Sequence, residues 1–110
     1  MREMQAKQVI NLLKTNALEK GEVVFVMGDI NATVHETTIS SVLIEEGGFV
    51  RIPMEGGKVS THPKMQDAID HILVFPKERL VDHKGYVIDS DKAQKASDHL
   101  PIVADITIAI

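Results

Sequence analysis

The stretch VVFVMGDINATV, Val23 to Val34, runs five apolar residues straight into Gly28, Asp29, Ile30 and Asn31. A short continuous apolar run rich in β-branched residues is the pattern of a strand covered on both faces, so Val23 to Met27 reads as a buried strand. Upstream of it, Ala6, Val9, Ile10, Leu13 and Ala17 recur at helical spacing, with Lys7, Asn11 and Lys14 on other faces. This predicts an amphipathic helix from Glu3 to about Asn16, stopped by Gly21. Downstream, Ile39, Val42 and Leu43 share a helical face between Thr38 and Glu46, and Gly47-Gly48 supplies the C-terminal exit.

The second half of the chain is richer in strand signals. Residues 52–66, IPMEGGKVSTHPKMQ, hold two glycines and two prolines and read as loop or hairpin. Ile69 to Phe75 is a second apolar strand, ended by Pro76. A weaker strand is expected around Tyr86 to Ile88, and SDKAQKASDH after it reads as polar loop. The close of the chain alternates Ile102, Ala104, Ile106, Ile108 and Ile110 with Val103, Asp105, Thr107 and Ala109, a strand with one better-buried face. Helix, strand, helix and then several strands imply a mixed α/β layer, a sheet covered by two helices.

Composition narrows the class. At 110 residues the chain makes one domain at most, and 44% apolar with 25% charged residues is ordinary for a globular protein. With no cysteine, disulfides and thiolate metal sites are excluded. No apolar targeting segment and no membrane-spanning run is read, which makes a cytoplasmic chain the default unless a signal lies upstream. The net charge of −4, without a basic block, does not indicate a nucleic-acid tracking surface. An acidic protein can still handle phosphate through a divalent cation.

Three polar interruptions of apolar strands are the candidates for chemistry. Asp29 and Asn31 stand two apart, so on an extended chain they project together. Such a pair can activate a water and hold an oxyanion, or it can be an Asx turn closing a strand. Asp70 lies inside AIDHILVF, where a charge needs a partner such as Arg, His, a metal or backbone amides, unless it reaches solvent at a strand edge. Asp98 and His99 precede the last strand, where loops carry function; as a lone pair they read equally as a cap or loop. His99 can donate a proton near neutral pH, and Asp70 is the natural partner for one of its ring nitrogens. Asp98 is a hard oxygen ligand suited to Mg²⁺ or Mn²⁺.

Other candidates fail on spacing. EGGKVS lacks the first glycine and the Ser or Thr of a phosphate-binding loop. His35, His62 and His83 have no zinc-site spacing. His71 alternates with Asp70, is expected on the opposite side of the strand, and reads as structural. Glu45 and Glu46 read as a solvated helix end.

VMGDIN, IDHILV and SDHLPIVADI, in this order, resemble the C-terminal half of the endonuclease/exonuclease/phosphatase superfamily, the DNase-I-like fold. That family carries G-D-x-N after a buried strand, then I-D-[YH]-I, then S-D-H-x-P before the last strand. MREMQAKQVINLL is similar to the helix leading into its G-D-x-N strand, and LIEEGGF to the helix and Gly-Phe turn that follow. The resemblance implies one half of a four-layer α/β/β/α sandwich, with residues 1–110 a single partial domain. It also implies phosphoester hydrolysis dependent on Mg²⁺ or Mn²⁺.

Carried over residue by residue, Asp29 would orient or deprotonate the attacking water and touch the metal. Asn31 would hold that water or a phosphate oxygen. His99 would donate to the scissile phosphate, Asp70 would fix His99, and Asp98 would belong to the metal site. The family's first half supplies a metal-binding Asn and Glu and a further catalytic His or Tyr, none of which is matched here. The chain alone is therefore expected to be inactive or nearly so, and to pair with a missing half or self-associate through an exposed sheet face. A non-catalytic folding or interaction module of the same fold is the alternative. The substrate, whether nucleic acid, phospholipid, inositol phosphate or nucleotide, is not readable.

Overall fold

A computed structural model describes residues 3–16, 20–30, 36, 38–55 and 69–109. Helix α1 (Glu3–Asn16) leads to β1 (Val24–Asp29), a nine-residue π-helical segment (Thr38–Glu46), β2 (Val50–Arg51) and β3 (Met54–Glu55). Then come β4 (Asp70–Phe75), β5 (Leu80–Val87), a short helix α2 (Asp91–Ala96) and β6 (Ile102–Ile108). The fold is mixed α+β, with two open three-stranded sheets in place of the single sheet expected. One has the order β1-β4-β2 and is antiparallel throughout. The other has the order β3-β5-β6, with β3 parallel and β6 antiparallel to β5.

Alternation along β4 explains the layering. Leu73 and Phe75 point to one face and join Ala6 and Ile10 of α1 with Ile39, Val42 and Leu43 of the π-helix. Ile72 and Val74 point to the other face and meet Ile52 and Met54, with Ile102, Ala104 and Ile106 of β6 packed against them. Two cores therefore sandwich β4, and every one of its residues is buried. Both expected helices cover the first sheet. In the second one the backbone is wound wider than an α-helix, the Gly47 N–H donating to Val42 C=O five residues back at 2.9 Å.

Four further expectations change. β1 is covered on one face only: Val24 and Val26 pack on the helical core, whereas Phe25 is 43% and Met27 67% exposed. The second sheet packs over β4, and among the described residues β1 is an edge strand of the first sheet. The weak strand around Tyr86 to Ile88 is the end of a strand that begins at Leu80. Its middle reads as polar because Val81 to Lys84 face water, and a register shift between Leu80 and Asp82 breaks its alternation.

SDKAQKASDH contains α2, whose Ser90 Oγ accepts the Ala93 N–H at 3.2 Å. None of its residues is buried, so no apolar periodicity could reveal it. Within 52–66, Met54–Glu55 is a strand, and residues 56–66 lie outside the described residues, as does Ile110. Among the described residues no helix is long and apolar enough to cross a membrane.

Candidate functional site

β1 and β4 run antiparallel with Asp29 opposite Asp70. Ile30 N–H donates to Ile69 C=O at 3.0 Å, so the pair one step inward, Asp29 and Asp70, is of the non-hydrogen-bonded kind with its side chains close. Two carboxylates directly opposite repel each other. His99 lies between them: its Nδ1 is 2.8 Å from Asp70 Oδ2 and its Nε2 is 3.8 Å from Asp29 Oδ2. An ionised carboxylate can only accept, so Nδ1–H donates to Asp70 and Nε2 is directed to Asp29. The hydrogen bond to Asp70 raises the His99 pKa above its ordinary 6.5, and the charges of Asp70, Asp29 and Asp98 add to it against partial desolvation.

Each of the three side chains is placed by backbone. Asp70 opens β4 and is buried, whereas the Asp29 side chain at the end of edge strand β1 keeps 48% exposure. Gly28, just before Asp29, has φ +117°, with nothing within 4 Å of a Cβ added there. Conformation, not space, calls for glycine at this step. His99 follows α2 in a turn closed by its own N–H, which donates to Ser97 Oγ at 3.1 Å. Leu100 is buried immediately after it, anchoring the turn to the core.

The expected pairing of Asp70 with His99 is thus present, and the structure adds Asp29 on the far side of the ring. One ligating atom from each of Asp29, Asp70 and His99 lies within 4.8 Å of the other two. Asp98 stands next to His99 but outside that group, exposed, with Ser97 Oγ–H directed at its Oδ1 at 3.5 Å. Asn31 lies outside the described residues, as do His35 and His62. His83 is exposed on β5, and Glu45 and Glu46 are exposed at the end of the π-helix.

His71 does face away from Asp70. It is fully buried on the helical side of β4, where Arg51 Nε–H donates to its Nδ1 at 2.8 Å. Burial lowers the pKa of Arg51. This pair, twenty residues apart in sequence, was not foreseeable from spacing, and neither was the Ser97 hydroxyl that fixes the His99 turn. A serine two residues before a histidine is the only trace of the latter.

Comparison of the chain with protein-family models, with characterised proteins and with solved structures finds no match in any of the three.

Proposed function

We propose that this chain is the C-terminal catalytic half of a metal-dependent phosphoesterase with a DNase-I-like α/β/β/α sandwich. The observation that carries the reading is the Asp70–His99–Asp29 line, a histidine held by a buried carboxylate with its second nitrogen beside an exposed one. Protonated His99, its proton stabilised by Asp70, can donate from Nε2 to a phosphate oxygen as negative charge grows there. Asp29 lies within reach of the same volume and can orient a water and take its proton. Asn31 is carried in this reading as a holder of that water.

The donor set fits a divalent ion in part. His99 Nε2, the proton donor in this reading, has no lone pair left for an ion. Asp70 Oδ2 is committed to His99, so Asp29 would be the main ligand, suited to a largely hydrated Mg²⁺ or Mn²⁺. Asp98 would join through a water, since it lies outside the close group. A bound ion would neutralise phosphate charge and lower the pKa of its water. The remaining ligands are assigned to a first half of the domain.

Two measurements test this. Mn²⁺ added to the chain should broaden the NMR signals of Asp29, Asp70 and His99 before others, and Asp29→Asn should abolish the effect. In the full-length protein, Asp29→Ala or His99→Ala should lower hydrolysis of bis-(p-nitrophenyl) phosphate by at least about 100-fold. Unselective broadening, or undiminished turnover in either variant, would remove the assignment. The alternative, a non-catalytic interaction module, draws on exposed Phe25 and Met27 beside the site. It predicts binding of a partner with no turnover even in the full-length protein.

A further inference from the structure

The bonding parity of β1 follows from two hydrogen bonds. Ile30 N–H reaches Ile69 C=O, and on the other side of β4 Ile52 N–H reaches Ile72 C=O at 2.9 Å. With the observed register, the even-numbered residues of β1 therefore bond to β4. The backbone groups of Phe25 and Met27 point the other way, to the open edge. Among the described residues no strand pairs there.

Edge strands in stable monomers are blunted by Lys, Pro, a bulge or an inward charge. From Val24 to Gly28 this edge has none of them, and its register with β4 is unbroken. The side chains of Phe25 and Met27 add an exposed apolar strip on the face that β4 buries against the second sheet.

We infer that β1 pairs edge to edge, antiparallel, with β1 of a second copy of this chain, about a twofold axis at Val26. Parity restricts the choice of register, because outward-pointing odd residues must meet odd residues across the axis. Centring on Val26 sets Phe25 opposite Met27 of the second copy and Val24 opposite Gly28, so all five residues lie within β1. Each phenyl ring then meets a thioether, a favourable sulfur–aromatic contact. Centring on Met27 would put Asp29 against the second copy's Phe25, and centring on Phe25 would leave only three residues of β1 in the pair. The Val26 register also holds the two Asp29 carboxylates at opposite ends of the joined strands, which avoids like charges in opposition. Two three-stranded sheets become one of six strands, with β1 and its copy at the centre. The dimer does not depend on the chemistry assigned to Asp29 and His99.

The test uses the intact chain. Sedimentation equilibrium across a concentration series should show the mass rising from 12.1 kDa towards twice that value. Because the chain contains no cysteine, single substitutions report the register. Val26→Cys should cross-link to itself on mild oxidation, as should a mixture of Phe25→Cys and Met27→Cys chains. Phe25→Cys alone, Met27→Cys alone and Val81→Cys, exposed on the other sheet, should not. Met27→Pro removes an outward N–H, and Met27→Lys places a charge on the edge; both should weaken the dimer at least tenfold with the circular dichroism unchanged. If Met27→Pro disturbs the fold, Met27→Lys carries the test. A monomer throughout the series would overturn the inference. So would a dimer indifferent to these substitutions, or one cross-linked only through another position.

Discussion

His99 is the residue on which stability and the proposed chemistry meet. Its pKa is raised in the folded protein by the hydrogen bond to Asp70, so folding favours the protonated ring. The stability this contributes is present in full below 6.5 and is lost as pH rises through the raised folded value. The stability difference between the parent chain and His99→Gln, taken from urea unfolding, should therefore be largest well below 6.5 and shrink well above it. A difference that grows with pH would show that Asp70 does not hold an imidazolium. Asp70 and His99 were legible from sequence because a charge inside AIDHILV demands a partner and a histidine stands before the last strand. The approach of Nε2 to Asp29 was not, because it depends on two strands and a turn that are distant along the chain.

At the scale of elements, legibility followed burial. Ala6 and Ile10 on α1, and Ile39, Val42 and Leu43 on the π-helix, mark their faces because those faces are covered. α2 has no covered face, and β5 turns its middle to water, so in sequence the first resembles loop and only the end of the second stands out. The exposed side of β1 was missed for the converse reason. Phe25 and Met27 are apolar without being covered, and periodicity reports side-chain chemistry, not what lies against it. β5 also depends on one small residue. A Cβ at Gly85 would sit 2.7 Å from Pro53 C=O and 2.9 Å from Met54 Cε, where β3 lies alongside in parallel. Gly85→Ala should destabilise the fold by about 1–3 kcal/mol. In urea unfolding the midpoint should fall while the slope stays constant. An unchanged midpoint would mean that β3 moves away at no cost.

For the whole molecule, β4 lies in the first sheet alone and carries one core on each of its faces, the helices covering one and the second sheet the other. The sequence pattern could supply the strands and helices but not their division between sheets, because partner choice lies in contacts such as Ile72 with β6 that no local window contains. The sheets are also bridged by side chains at opposite ends. Arg79 Nε–H donates to Ala109 C=O beyond β6, and its Nη1–H donates to Gly21 C=O ahead of β1. At the other end of β1 and the start of β6, His99 reaches from one sheet to Asp70 of the other. The guanidinium keeps its charge at any physiological pH, whereas the imidazole does not. Of the two bridges, the one through Arg79 is thus permanent and the one through His99 weakens as the ring loses its proton. Amide exchange at Val103 and Ile30, corrected for its intrinsic pH dependence, should quicken above the His99 pKa while Ala109 stays protected. Equal acceleration at both ends would mean that the two bridges do not act independently.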